Sequence, residues 1–110
     1  MISFRKFIKD IMKYSIVMPV FKRSEILEKS LKSIQKQLLQ PMEVILVDNN
    51  VINIETEKLR NIVEEFKVNS KIDIKLLKST KNSGALARNM GAKVSRGDIV
   101  AFLDSDVVLD

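Results

Sequence analysis

The sequence predicts an α/β fold in which a mostly parallel sheet carries helices on both faces. Three observations point there. Short, nearly continuous apolar runs of the kind buried strands show occur at 14–20 (YSIVMPV), 42–47 (MEVILV) and 99–103 (IVAFL). Between them lie segments whose apolar residues recur at helical spacing. The two types alternate as β-α-β-α-β-α-β, which implies right-handed crossovers between parallel strands, a Rossmann-like arrangement.

Residues 1–13 precede the first strand. Phe4, Phe7, Ile8, Ile11 and Met12 fall at helical spacing, with Arg5, Lys6, Lys9 and Lys13 between them. A short basic amphipathic helix of this kind suits a membrane surface, or packing on the domain or a neighbouring chain. It lacks the apolar core of a secretory signal, and no run approaches the roughly 20 apolar residues that span a bilayer. The expected location is therefore cytoplasmic, or the inner face of the membrane. Residues 14–110 are the second unit, an α/β segment of one domain at most.

The first strand ends near Pro19, where a missing N–H is tolerated. Ser24 then offers an N-cap, and Leu27, Leu31, Ile34 and Leu38 predict a helix to about Gln37, stopped before Pro41. The second strand ends in Asp48, and residues 49–55 read as a loop. Thr56 is the expected cap of a helix with Leu59, Ile62, Val63 and Phe66 on one face. Ile72, Ile74 and Leu76 alternate with polar residues, which predicts a half-exposed strand near a sheet edge. A turn-rich loop at 78–84 leads into a helix from about Ala85 to Ser95, with Gly97 as its expected terminator. The run 99–103 predicts a buried last strand, and Asp104-Ser105-Asp106 follows at once.

Composition narrows the chemistry. With 110 residues there is room for one domain with a small core. No cysteine and no histidine are present, so disulfides, thiolate metal sites and imidazole catalysis are excluded. The net charge of +5 suits an anionic ligand or an acidic membrane surface. The basic residues are dispersed and aromatic residues few, which does not suit nucleic acid.

In such sheets ligands bind beyond the carboxyl ends of the strands, near the point where strand order reverses. The polar residues there are Phe21-Lys22-Arg23, Asp48-Asn49-Asn50 and Asp104-Ser105-Asp106. Asp104 and Asp106 flank one small residue. A turn at Ser105 brings both carboxylates toward one ligand, and carboxylate oxygens suit Mg²⁺ or Mn²⁺. The plain alternative is one Asp capping a turn and one solvated. Asp48 can accept from a ribose hydroxyl or a base N–H, or simply start a loop. Asn82, Gly84, Arg88 and Asn89 sit at a helix start, where free N–H groups and a guanidinium attract phosphate. The plain alternative is a turn glycine and a surface arginine. For Lys22 and Arg23 a solvated role is favoured over phosphate contact.

Four ordered segments carry a resemblance: 15–21 (SIVMPVF), 43–48 (EVILVD), 82–91 (NSGALARNMG) and 97–106 (GDIVAFLDSD). Together they resemble the N-terminal half of family 2 glycosyltransferases, which have the GT-A fold. The resemblance implies a nucleotide-diphosphate-sugar donor, usually a UDP-sugar, and a divalent metal, Mg²⁺ or Mn²⁺. It places Pro19, Val20 and Phe21 in the base pocket and Asp48 at the base or ribose. Arg88 lies near the nucleotide in this reading, with Gly84 and Asn89 shaping the loop. Asp104 contacts the ribose or metal, and Asp106 is the principal metal ligand.

Two positions depart from the family pattern. Asn49-Asn50-Val51 stands where a second Asp and a Gly-Ser are common, and Lys22 where Asn is common. The family's acceptor half and its catalytic carboxylate are expected beyond Asp110. The alternative to an enzyme half is a non-catalytic module that binds nucleotide or self-associates through an uncovered sheet edge.

Overall fold

The computed structural model describes residues 3–11, 13–22, 24–79, 81 and 83–110, and of residues 8–11 the backbone alone. The expectations attached to Met12, Arg23 and Asn82, and to the side chains of Ile8, Lys9 and Ile11, lie outside what is described. Along the described residues the elements are α1 (Phe4–Ile11), β1 (Tyr14–Val20), α2 (Ser24–Gln35) and β2 (Glu43–Asp48). They continue with α3 (Asn53–Asn69), β3 (Asp73–Lys78), α4 (Gly84–Val94) and β4 (Ile99–Phe102).

The four strands are parallel and lie in the order β3-β2-β1-β4. Successive strands step outward from β1 to β3. The chain then crosses back to place β4 on the other side of β1. Strand order reverses between β1 and β4, and the crevice between their carboxyl ends is where such a sheet binds ligands.

Alternation along β1 and β2 divides the core in two. Ile16, Met18, Val20, Val44 and Leu46 point to one face, where Leu27, Leu31 and Ile34 of α2 and Leu59, Ile62, Val63 and Phe66 of α3 cover them. Val17, Ile45 and Val47 point to the other, where Ala87 of α4 covers them. The predicted class is therefore correct, with helices on both faces and β3 at an edge.

Several expectations are corrected. The last strand is not buried: Ile99 is 45% exposed and Phe102 48%. Among the described residues β4 pairs with β1 alone, and α4 lies over β1 and β2. Leu103 falls just past the strand, its N–H donating to the Val17 carbonyl at 3.1 Å. Helix α2 begins at Ser24 itself and ends at Gln35, leaving Leu38 exposed. Helix α3 begins three residues before Thr56, so Thr56 is no cap.

Gly97 does not end α4 in a left-handed conformation. The helix is capped at Ser95, and no described glycine has positive φ. A Cβ on Gly97 would instead lie 2.6 Å from the Ser15 nitrogen, so close backbone approach is what requires glycine there. Gly91 is the same case on α4, where a Cβ would meet Val17 Cγ1 at 2.3 Å. The helix rests on β1 at a distance only glycine permits.

A buried carboxylate joins the amino ends of the strands. Glu43, 0% exposed, accepts from Ser15 Oγ (2.6 Å), the Arg96 main-chain N–H (2.6 Å), Arg96 Nε (3.1 Å) and Lys75 Nζ (3.2 Å). Burial pushes its pKa up. The hydrogen bonds from Ser15, Arg96 and Lys75 outweigh that and hold it at about 2.

Candidate functional site

Parallel register brings the carboxyl ends of three strands level. Val20 pairs with Asp48, and Asp48 with Lys78. Val17 pairs with Phe102, so continuing that register sets Asp104 beside Pro19. The residues predicted for the site thus share one pole of the sheet.

At the reversal crevice, β4 gives way to a turn closed by the Val107 N–H donating to the Asp104 carbonyl at 3.1 Å. This turn carries both Asp104 and Asp106. Arg88, one turn into α4, reaches across with Nη2 3.6 Å from Asp104 Oδ1. Helix α4 is capped by Ser83, whose Oγ accepts from the Leu86 N–H at 3.4 Å. Its start therefore lies beside the crevice. Gly84 is its first residue, and a Cβ there would lie 3.4 Å from the Arg88 guanidinium. The guanidinium thus folds over the helix start, adding a permanent charge where the helix dipole is already positive. Asn89, next along α4, is exposed.

At the end of β1, Pro19 is half-buried, and the Val20 side chain belongs to the core under α2 and α3. Phe21 is exposed. Lys22 holds φ at 56°, a left-handed conformation unusual for a lysine. Its N–H donates to Asn50 Oδ1 at 2.5 Å, and its ammonium stands 5.3 Å from the Phe21 ring centre. Phe21, Lys22, Asn50, Val51, Ile52 and Glu55 enclose a cavity of about 160 Å³ between the β1–α2 and β2–α3 loops.

The Asp48 carboxylate is engaged by protein donors. Oδ1 accepts from the Asn50 N–H (2.9 Å), and Oδ2 from Thr56 Oγ1 (2.8 Å) and Lys78 Nζ (3.3 Å). Lys78 also donates to the Asn50 carbonyl at 2.5 Å. Asp48 therefore orders the loop after β2, and that is also what Thr56 does in place of capping. Lys78 was missed as a site residue because only the parallel pairing of β3 with β2 brings it here.

Asn49, noted in the sequence among the polar residues at the end of β2 but given no role, is the second such residue. It is 6% exposed, and its N–H continues the ladder to the Val20 carbonyl at 2.8 Å. Its Oδ1 is buried and has no hydrogen-bond partner among the described residues. Buried acceptors without a partner are rare in folded proteins. Alternation along β2 sets it on the α4 side, with Ile45 and Val47.

Asp110 lies away from this pole. Residues 107–110 run along α2, where Ser30 Oγ donates to the Val107 carbonyl, the Leu109 N–H to Ser33 Oγ, and Gln37 Nε2 to the Asp110 carbonyl.

Among the described residues, no three His, Cys, Asp or Glu side chains gather closely enough to hold a metal ion by themselves. The donor set of Asp104 and Asp106 nevertheless fits a hard divalent ion. Mg²⁺ in particular is commonly held by one or two carboxylates, with substrate phosphates and water completing its shell.

Comparison with known proteins matches residues 15–110 to the glycosyl transferase family 2. The amylovoran biosynthesis glycosyltransferase AmsB of Erwinia amylovora is 35% identical over 99 residues, covering 89% of this chain and 32% of that protein. The poly(ribitol-phosphate) β-N-acetylglucosaminyltransferase TarP of Staphylococcus aureus is 32% identical over 99 residues, covering 88% and 29%. Among solved structures, residues 1–349 of S. aureus TarS superpose with a TM-score of 0.69 at 30% identity, covering 86% of this chain and 28% of that one. The mannosyltransferase PcManGT of Pyrobaculum calidifontis, solved with GDP-Man and Mn²⁺, gives a TM-score of 0.73 at 22% identity over 86% and 28%. That likeness concerns the fold. The chain spans about a third of the length of the curated relatives it matches. With its parallel sheet, its reversal point between β1 and β4 and this match over residues 15–110, the chain belongs to glycosyl transferase family 2, as the N-terminal half of a GT-A domain.

Proposed function

We propose that this chain supplies the donor half of a glycosyltransferase that uses a nucleotide-diphosphate sugar, of the UDP-sugar class. The observation that carries the reading is the meeting of Arg88 and Asp104 at the reversal crevice, over the start of α4. A guanidinium with fork geometry beside a helix N-terminus suits a diphosphate. The buried Asn49 Oδ1, without a partner among the described residues, gives the same pole an acceptor for a base or ribose donor. Pro19 and Phe21 border the base in this reading, with Val20 fixing the end of β1 from the core. Asp48 acts with Asn49 as the contribution of β2. Gly84 leaves room for the Arg88 guanidinium, and Asn89 lies on the same exposed turn.

In the proposed reaction an acceptor hydroxyl attacks the anomeric carbon, the bond from that carbon to the diphosphate oxygen breaks, and a general base takes the hydroxyl proton. What this chain contributes is binding and orientation. Arg88 bears on the diphosphate and leaves it better stabilised as charge gathers there. Asp106, with Asp104, would hold a divalent ion. Such an ion, when bound, supplies positive charge to the departing diphosphate. PcManGT is described with GDP-Man and Mn²⁺, which supports this assignment by analogy of fold.

Titration of UDP and Mn²⁺ into the folded chain, beside Arg88→Ala and Asp106→Ala, tests the reading. Binding weakened by both substitutions supports it, and binding indifferent to both removes its basis. The half-exposed edge strand β4 favours a second reading, a module that binds nucleotide without turnover or pairs through that edge. Sugar transfer by this chain alone would rule the module out.

A further inference from the structure

We propose that α1 docks the protein on an anionic lipid surface. Four observations carry this inference. The helix is locally specified, because Ser3 Oγ accepts from the Lys6 N–H at 3.1 Å and the Ser3 carbonyl from the Phe7 N–H at 3.0 Å. This is an N-cap and first turn made without help from the domain. Among the described residues, no strand or other helix packs extensively against α1. Phe4 is 78% exposed and Phe7 51%, one helical turn apart on the same face. Arg5 and Lys6 stand exposed beside them, and through residue 13 the sequence adds Lys9 and Lys13 against Asp10 alone.

An eight-residue helix is marginal in water unless its apolar face is covered. Two large aromatic side chains with a net excess of three positive charges, four basic residues less one acidic, suit the boundary between acyl chains and acidic headgroups. A second copy of this helix is a poorer cover. Eight residues extend only about 12 Å, too little to bury the roughly 800 Å² per partner of a stable dimer. The geometry also suits a donor-binding protein. Helix α1 leads into the amino end of β1, so lipid docking leaves the carboxyl pole of the sheet open.

Cosedimentation with vesicles tests the proposal. The intact chain is expected to bind vesicles containing phosphatidylglycerol far better than pure phosphatidylcholine, and less well at high salt. Phe4→Ser with Phe7→Ser leaves the net charge unchanged and should lower binding about tenfold or more. Arg5→Glu with Lys6→Glu should lower it as well. Neither pair should change the thermal transition of the domain, which shows that the variants are folded. No binding of the intact chain to anionic vesicles would overturn the proposal. So would binding unchanged by the Phe4/Phe7 pair, which would assign it to the general basic charge of the domain. Self-association abolished by that same pair, seen by light scattering without lipid, would overturn it in favour of a second copy.

Discussion

The guanidinium of Arg88 stands 3.6 Å from the carboxylate of Asp104, joining the first turns of α4 to the chain leaving β4. Both groups are solvent-exposed, so the pair adds little to stability. Its consequence is positional: a cation is held over a helix start at the point where the sheet reverses. Replacing Arg88 with Ala should leave the fold intact and weaken UDP binding about 10- to 100-fold, as loss of a charge-assisted phosphate contact does. Arg88→Lys should fall between, since it keeps the charge and loses the fork. Calorimetry measures both, and unchanged affinity in Arg88→Ala would remove the residue from the site.

Gly91 and Val17 set the distance between α4 and the sheet. A methyl group at position 91 would sit 2.3 Å from Val17 Cγ1, inside a core where Val17 is fully buried. Gly91→Ala should therefore destabilise by about 1–3 kcal/mol despite its better helix propensity. Val17→Ala in the same chain should recover part of that loss, and urea unfolding of the four variants gives the coupling. Additive effects would show that α4 shifts away at little cost.

Glu43 makes stability depend on pH in a defined window. Its folded pKa is about 2, below the ordinary 4.5. The contribution is thus fully present above 4.5 and lost as pH falls from there toward 2. Its cationic partners are partly exposed, so the contribution should be on the order of 2 kcal/mol. Melting between pH 7 and pH 2 should show this slope in the wild type and a flatter one in Glu43→Gln, which should also be less stable at pH 7. Parallel slopes would mean that the network is not felt.

Lys22 carries a left-handed backbone on a residue that does not favour it. Asn adopts this conformation more readily. Lys22→Asn should raise stability by about 0.5–1 kcal/mol while keeping the main-chain N–H to Asn50. A loss of stability would show that the ammonium over Phe21 outweighs the backbone strain.

Element order and fold class were legible because strand runs and helical spacing are local signals. Ile72, Ile74 and Leu76 even revealed their edge position through alternation. The run 99–103 misled because an apolar strand reads the same whether or not a neighbour covers it. Only the strand order shows that β4 has β1 on one side alone. Thr56 looked like a cap because its type and place fit one, but the Asp48 carboxylate eight residues earlier claims its hydroxyl. Gly91 and Gly97 were visible as glycines. That they permit close approach to Val17 and Ser15, 74 and 82 residues earlier in number, follows only from packing. Asn49 looked like a departure from a familiar pattern, and its buried oxygen, without a partner among the described residues, appears only once β1, β2 and α4 are in place.

On the proposed reading, the pole holding Asn49, Arg88, Asp104 and Asp106 binds a nucleotide diphosphate with a divalent ion. Calorimetry of UDP against the folded chain, with and without Mn²⁺, decides it. The prediction is UDP binding that strengthens with Mn²⁺ and loses that dependence in Asp106→Ala. A folded chain that binds neither UDP nor GDP in the presence of Mn²⁺, or an Asp106→Ala variant that binds as the wild type does, would contradict it.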